Sequence, residues 1–123
     1  MENLPFFSVR SQGCSPTLSS LQVLDLDMNQ LSTLPAEVGT LTSLQWLGLY
    51  HNQLRKLPVE VGNLSSLQEL YLSNNQLRKL PVEVGNLTSL HTLVLKNNPL
   101  QIPPPEIMAL GISAILSYLR TLK

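Results

Sequence analysis

The sequence predicts an α/β fold: a right-handed solenoid with a short parallel sheet on its concave face and a capping helix at its C-terminal end. Leucine supplies 28 of the 123 residues, about 23%, while aromatic residues are only 5% and charged residues 13%. The leucines recur with a fixed period of 23 residues over most of the chain. After the last copy, the apolar spacing changes to that of a helix. Many identical buried positions, stacked one on another, account for this composition.

Each unit has the pattern LxxLxLxxNxLxxLPxEVGxLxSL, and its polar and turn positions keep the same period as its leucines. The repeating columns include Leu21, Leu44, Leu67 and Leu90; Asn29, Asn52, Asn75 and Asn98; and Pro35, Pro58, Pro81 and Pro104. A buried amide at a turn must be hydrogen-bonded, and stacked copies can reach backbone groups of adjacent units. We therefore expect the asparagine column to form a structural ladder that binds no ligand.

The LxLxL-type segment of each unit predicts a strand that is buried on one side. In the first unit, Leu24 and Leu26 face inward while Val23, Asp25 and Asp27 face outward, because alternate side chains of a strand point to opposite faces. A strand of this kind needs a neighbour on which to stack, and no single unit can bury its own leucines. The pattern therefore predicts parallel strands joined by right-handed return segments.

Each return segment begins at a proline, and in the first three units a glycine follows four residues later. Proline fixes φ at the start of the segment, as at Pro35. We expect the glycines, such as Gly39, to permit a turn there. In the fourth unit Pro103 replaces the column leucine, while Ile107 and Leu110 are predicted to keep the inward register.

The chain divides into three predicted parts. Residues 1–17 form a degenerate N-terminal segment or cap, residues 18–110 form about four repeats, and residues 111–123 form a capping helix. Apolar residues of the last part have helical spacing and are expected to cover the final unit. This apolar stripe consists of Ile112, Ile115, Leu116, Leu119 and Leu122.

The first unit needs protection on its outer side. Phe6, Phe7 and Val9 in the N-terminal segment can fold over it. If they do not, the strand near Leu24 has an open edge, and such an edge favours pairing with another chain. A homodimer through this N-terminal edge is therefore one predicted assembly.

Composition and charge exclude several classes of partner. Eight basic and eight acidic side chains give a formal net charge of zero, which argues against binding to nucleic acid or to a membrane surface. The longest apolar runs are too short to span a membrane, and the N-terminus does not have the pattern of a signal peptide. A single cysteine, Cys14, rules out an internal disulfide framework. We therefore expect a cytoplasmic location.

The repeat unit resembles the leucine-rich repeat in its 23-residue intracellular form. The segment QLRKLPVEVGNL, at 53–64 and again at 76–87, carries this resemblance most clearly. The ending NPLQIPPPEI is similar to the closing repeat of Ras-scaffold-type and Roco-type proteins. The resemblance implies a protein or peptide partner on the concave face and a role as an intracellular signalling scaffold or adaptor.

The outward positions of the strands differ from copy to copy, unlike the leucine columns. The candidate partner-binding residues are Val23, Asp25, Asp27, Trp46, Tyr50, His51, Glu69, Tyr71, Val94 and Lys96. Adjacent strands lie about 4.8 Å apart, so Trp46, Tyr50 and Tyr71 are expected to be neighbours, with carboxylates beside them and Lys96 at the far end. Exposed aromatic rings with charged neighbours are typical of an interaction hot spot. The alternative is that these rings only pack across the strands.

Other polar residues give weaker indications of chemistry. Arg55 and Lys56, stacked over Arg78 and Lys79, form a basic pair of turns that is interpreted as a solvated flank. The alternative is a site for an acidic segment or a phosphate. No catalytic, metal or cofactor site is predicted, since paired carboxylates without a nucleophile, and histidines in different columns, do not make a known catalytic pattern.

The sequence therefore predicts a non-catalytic protein-interaction module. Two alternatives remain open at this point. The chain is a truncated repeat fragment that self-associates through its first unit, or it is an extracellular recognition module.

Overall fold

The computed structural model describes residues 8–10 and 21–122 of the chain. The strands are β1 (Ser8–Arg10), β2 (Val23–Asp25), β3 (Trp46–Gly48), β4 (Glu69–Tyr71) and β5 (Thr92–Val94). In the described part of the chain, short 3-10 helices lie on the opposite side, at Ala36–Thr40, Val59–Asn63 and Val82–Asn86. Two helices end the chain, α1 (Pro105–Met108) and α2 (Ile112–Thr121).

The strands form one sheet in the order β1-β2-β3-β4-β5, and β2 to β5 are parallel to one another. The repeat period sets the register of these pairs. Val23 lies opposite Trp46, Trp46 opposite Glu69, and Glu69 opposite Thr92. The structure confirms an α/β repeat solenoid with a parallel sheet on one face and a helix at the C-terminal end.

The core lies between the sheet and the 3-10 helices, and the leucine columns fill it. Leu24, Leu47 and Leu70 are completely buried at the centres of their strands. Val38 is equally buried on the return segment, where the preceding Pro35 has φ −68° and ends the extended backbone before the 3-10 helix begins. Burial of apolar area at the same positions in every unit is the main stabilising contribution to such a stack.

The return-segment glycines have a different role from the one expected. Gly39, Gly62 and Gly85 do not have positive φ. No turn therefore requires glycine at these positions for its backbone conformation. A Cβ on Gly39 would lie 2.7 Å from the carbonyl oxygen of Glu60, and a Cβ on Gly62 would lie 2.8 Å from that of Glu83. Gly39 and Gly62 therefore allow the 3-10 helices of neighbouring units to approach closely, and Gly85 allows the same approach of α2.

The asparagine ladder is confirmed. The Asn52 amide oxygen accepts hydrogen bonds from the backbone N–H groups of Asn29 (3.0 Å) and Leu31 (2.9 Å). Its amide nitrogen donates to the carbonyl oxygens of Leu26 (3.0 Å) and Leu49 (3.1 Å). Each ladder asparagine of this type therefore links the turn of its own unit to the turn of the preceding one, which satisfies buried backbone groups.

Helix α2 covers the last unit, as predicted, but two apolar residues near it lie elsewhere. Ile115, Leu116 and Leu119 are buried against the core. Leu122 is 43% exposed and Leu110 is 71% exposed, so the predictions that they face inward are wrong. Leu122 follows the end of α2, so the helical spacing that supported its prediction does not extend to it. Leu110 was predicted from the repeat register, and it lies instead in the turn between the two helices.

The N-terminal edge of the sheet is occupied in the structure. Strand β1 pairs with β2 in antiparallel orientation, with Ser8 opposite Asp25 and Arg10 opposite Val23. A homodimer that uses the edge of β2 would have to displace β1. Phe6 and Phe7, which were expected to fold over the first unit, lie outside the described residues. The three-part division of the chain at residues 17 and 110 stays a prediction.

Candidate partner-binding face

The sheet register brings several of the predicted residues together on the concave face. Trp46 lies between Val23 and Glu69 on neighbouring strands, and Gly48 lies between Asp25 and Tyr71. We call the group of Asp25, Asp27, Trp46, Glu69 and Tyr71 the aromatic–acidic patch. It spans β2, β3 and β4 near the middle of the sheet.

The rings of Trp46 and Tyr71 are in contact, as the strand spacing predicts. Their centroids are 5.2 Å apart and their planes are inclined by 40°. This separation is within the range in which aromatic pairs attract one another. The ring of Tyr50 lies elsewhere, against His51, with a centroid distance of 5.6 Å. The predicted group of three aromatic rings is therefore divided into a Trp46–Tyr71 pair and a Tyr50–His51 pair.

Gly48 determines where the tryptophan ring lies. A Cβ on this residue would be 2.6 Å from the Cη2 and Cζ3 atoms of Trp46 and 2.8 Å from Oδ1 of Asp27. The indole therefore fills the position that a side chain at Gly48 would occupy, between Asp25 on one neighbouring strand and Tyr71 on the other. Glycine destabilises a strand, but at this position it leaves the space that holds the Trp46 ring in place.

Glu69 is joined to the ring pair. The Tyr71 hydroxyl donates a short hydrogen bond to Oε1 of Glu69. This bond raises the pKa of Tyr71 above its ordinary value of 10.0, burial and the Glu69 charge act in the same direction, and a hydrogen bond with Trp46 opposes them. Glu69 and Tyr71 lie two residues apart on β4, on the same face of the sheet. The hydrogen bond between them fixes the tyrosine ring relative to the carboxylate.

The two aspartates are held by backbone N–H groups. Oδ1 of Asp27 accepts from the N–H of Tyr50 at 2.7 Å, and Oδ1 of Asp25 accepts from the N–H of Asp27 at 3.1 Å. Burial raises the pKa of Asp27 above its ordinary value of 3.8, and the bond from Tyr50 opposes this shift. The charge of Asp25 and a side-chain hydrogen bond with it raise the pKa further. The two carboxyl groups are thus close enough to repel when both are ionised.

A shallow groove runs across the patch. It has a volume of about 420 Å³ and is lined by Val23, Asp25, Gln45, Trp46, Gln68 and Glu69. Carboxylates therefore lie on both sides of the indole, one on β2 and one on β4. The groove is large enough for one long side chain of a partner but is open to solvent along its length.

The remaining predicted residues lie away from the groove. Val94 is half-buried on β5, opposite Tyr71, and Lys96 is exposed just beyond that strand. His51 is exposed beside Tyr50. Among the side chains that the structure describes on this face, carboxylates thus lie on or next to β2 and on β4, and the cation Lys96 lies beyond β5.

A column of left-handed backbone conformations follows the strands, and the sequence did not predict it. Met28, His51, Asn74 and Asn97 all have φ between 61° and 62°. The two asparagines are a usable sequence signal, because asparagine tolerates this conformation better than most residues do. His51 was predicted as a partner-binding residue, and its backbone conformation is set by the repeat.

The basic residues predicted as a flank are exposed and lie away from the patch. Arg55, Lys56, Arg78 and Lys79 are all solvent-accessible on the turns that follow the strands. A groove of about 470 Å³ is lined by Arg55, Gln76, Arg78 and Pro99.

Within residues 21–122, no group of three or more histidine, cysteine or acidic side chains is arranged to hold a metal ion. Among the described helices, none is long and apolar enough to cross a membrane.

Comparison with known families identifies the class of protein. A leucine rich repeat model matches residues 6–54, and a model of two leucine rich repeats matches residues 42–82 and 65–106. The chain therefore belongs to the leucine-rich repeat family, whose typical members are binding modules for proteins. The first of these matches begins inside the segment predicted to be degenerate. No curated protein matches the chain.

Solved structures of the same class are similar over about two thirds of the chain. A leucine-rich repeat protein of Leptospira interrogans is 46% identical, with a TM-score of 0.66 over 67% of this chain and 21% of its own. The plant peptide hormone receptor RGFR1, solved in complex with RGF2, is 40% identical, with a TM-score of 0.62 over 68% of this chain and 14% of its own. The BIR2 ectodomain of Arabidopsis thaliana is 36% identical, with a TM-score of 0.60 over 66% of this chain and 44% of its own. The chain thus spans from one seventh to less than half of the length of these proteins.

Proposed function

We propose that the chain is a non-catalytic module that binds a protein or peptide partner on its concave face, through the aromatic–acidic patch. The observation that carries this proposal is the contact between Trp46 and Tyr71 over Gly48, in the middle of a solvent-facing sheet. Tryptophan and tyrosine are enriched among residues that contribute most to binding energy, above all where polar groups surround them.

The solved relatives support binding of this general kind. The receptor RGFR1 was solved with RGF2, and another Arabidopsis thaliana relative, 28% identical, was solved as a BIR3–SERK2 complex. Rigid parallel strands keep the outward side chains in fixed positions, so a partner would lose little binding free energy to ordering of the face.

A finer part of the proposal is an intracellular role as a signalling scaffold or adaptor in the cytoplasm. It rests on the resemblance of the repeat and its ending to intracellular proteins. The similarity to the BIR2 ectodomain and to the peptide hormone receptor RGFR1 favours the alternative of an extracellular recognition module. Fractionation of cells that make the natural protein, with an antibody against this chain, distinguishes the two. Recovery in the cytosol supports the scaffold, and recovery outside the cell supports the alternative.

Self-association through the first unit is the other alternative. Because β1 pairs with β2, the edge of β2 is already hydrogen-bonded. Sedimentation velocity over a range of protein concentrations tests this alternative. A concentration-dependent dimer that disappears on a proline substitution within β2 would support it, and a monomer throughout would contradict it.

Comparative affinity capture tests the proposed function. The native chain, Trp46→Ala and the control Val59→Ala are immobilised, and captured proteins are identified by mass spectrometry. Val59 is an apolar side chain on the opposite side of the solenoid and is 53% exposed. Val59→Ala therefore also removes an accessible apolar side chain, but outside the concave face. A captured partner should bind the native chain and Val59→Ala equally well. Once purified, this partner should bind Trp46→Ala at least about tenfold more weakly. All three proteins should have the same fold. Equal affinity for all three would contradict the proposal.

A further inference from the structure

The aromatic–acidic patch contains an open groove in which an aromatic ring lies beside carboxylates. The indole of Trp46 forms part of the groove of about 420 Å³, with Asp25 on one side and Glu69 on the other. The ring lies over its own strand, with Cη2 and Cζ3 at the position that a side chain at Gly48 would occupy. A guest that enters the groove therefore meets an aromatic ring and two carboxylates together.

The chemistry of this arrangement distinguishes between kinds of guest. A guanidinium or ammonium group near an indole ring is attracted by the negative charge of the ring face, and a carboxylate within reach adds to the attraction. An apolar guest would have to desolvate the carboxylates without replacing their hydrogen bonds, which is unfavourable. An acidic guest would be repelled by all three carboxylates of the patch.

The carboxylates are also held in place before a guest arrives. Asp25 and Asp27 accept hydrogen bonds from backbone N–H groups, and Glu69 accepts from the Tyr71 hydroxyl. Little free energy is therefore lost to ordering these side chains when a guest binds. A bound cation would also reduce the repulsion between Asp25 and Asp27. Among the outward side chains that the structure describes on β2 to β5 and just beyond them, Lys96 is the cation, and it lies beyond β5, away from Asp25 and Glu69.

We propose that the partner is recognised through an arginine or lysine side chain that lies on Trp46 between Asp25 and Glu69. This inference rests on the proposed function, because it names the chemistry that the same face selects. The distribution of charge on the face also sets the direction of the bound partner. Its basic residue lies over β2 to β4, and Lys96 favours an acidic group of the partner at the other end of the sheet.

Peptide selection provides the test. Random eight-residue peptides displayed on phage are selected on the native chain, and those that bind Trp46→Ala equally well are discarded. The best peptides are then synthesised in two forms, with arginine or with citrulline, which has a similar shape and no charge. Trp46 is the single tryptophan of the chain, so its fluorescence reports binding at the patch directly.

The expected result is that the selected peptides share a basic residue and that the arginine form binds about tenfold more tightly than the citrulline form. The preference should fall to about twofold or less in the double variant Asp25→Asn, Glu69→Gln, and should weaken with added salt. Asparagine and glutamine keep the hydrogen-bond acceptors, so the fold is retained. The matched control Glu37→Gln removes an exposed carboxylate from the return side and should keep the full preference.

Two results would overturn the inference, and they have different meanings. Peptides that need Trp46 but carry no basic residue, or that keep their arginine preference in the double variant, contradict the cation site and leave the proposed function standing. Failure to recover any peptide whose binding depends on Trp46 contradicts the proposed function and the cation site together.

Discussion

At the scale of single residues, the backbone at the end of each strand sets demands that differ from those of the core. Met28 and His51 have φ of 61°, the same left-handed conformation as Asn74 and Asn97. Most side chains other than glycine raise the free energy of this conformation by about 1 kcal/mol, and asparagine is among those that tolerate it best. The first two repeats therefore carry a local strain that the last two relieve by their sequence.

We predict that His51→Asn increases the free energy of unfolding by about 0.5–1 kcal/mol, because asparagine populates the left-handed region more readily. Urea denaturation measures the change. Gln53→Asn is the matched control, since it places asparagine two residues away at a position without positive φ. A His51→Asn protein no more stable than the control would show that the left-handed backbone is not strained by histidine.

Asp27 has a pH dependence with a defined sign. Its pKa in the folded protein is raised above 3.8, first by burial, so ionisation destabilises the folded chain relative to the unfolded one. The stabilisation associated with the neutral form is complete below the unfolded pKa and is lost as the pH rises through the folded pKa. Asp27→Asn removes this loss while it keeps an acceptor for the Tyr50 N–H.

We therefore expect Asp27→Asn to gain stability relative to the native chain as the pH rises from about 3 to about 6. Denaturation at a series of pH values measures the difference. In Asp25→Asn, NMR titration of the Asp27 carboxyl should give a lower pKa than in the native chain, because a neighbouring charge is removed. A pKa of Asp27 that is unchanged in this variant would contradict the described coupling.

At the scale of elements, the asparagine ladder joins one unit to the next. Asn75 accepts from the N–H of Leu54 (3.0 Å) and donates to the carbonyl oxygens of Leu49 (2.9 Å) and Leu72 (3.0 Å). We predict that Asn75→Ala lowers the free energy of unfolding by about 2–4 kcal/mol, because several buried backbone groups lose their partner. Asn29→Ala should cost about 1 kcal/mol or less, since Asn29 is half-buried and its amide donates to the Asp27 carbonyl oxygen. Equal losses in a thermal or urea melt would contradict the ladder account.

Helix α2 closes the stack through one of its faces. Leu119 is completely buried, and Arg120 donates from Nε to the carbonyl oxygen of Gly85 at 2.8 Å. We predict a loss of about 2–4 kcal/mol for Leu119→Ala and less than about 1 kcal/mol for Leu122→Ala, because Leu122 is 43% exposed. Urea denaturation compares the two. Similar losses would show that α2 covers the last unit with a different face.

At the scale of the whole molecule, the repeat period makes most of the fold predictable. Leu24, Leu47 and Leu70 are buried as expected, because each lies on a strand with a neighbouring strand on either side, and Leu93 in the last unit is partly buried. The Trp46–Tyr71 contact also follows from the spacing of parallel strands.

Features outside the repeating strands were not predictable in the same way. The position of Tyr50 depends on the turn after β3, where the backbone bends at His51 and Asp27 binds the Tyr50 N–H. The exposure of Leu110 and Leu122 depends on where α2 begins and ends, and on how it packs. The bend at His51 recurs in every unit, but among the described residues the Asp27–Tyr50 bond and the packing of α2 each occur once, so sequence periodicity contains neither.

The most direct test of the concave-face account is an NMR titration of the isotope-labelled chain with a purified partner or a selected peptide. We expect the largest chemical-shift changes on outward residues of β2, β3 and β4, including the indole N–H of Trp46. Changes confined to the 3-10 helices, or to the turns that carry Arg55 and Arg78, would contradict it.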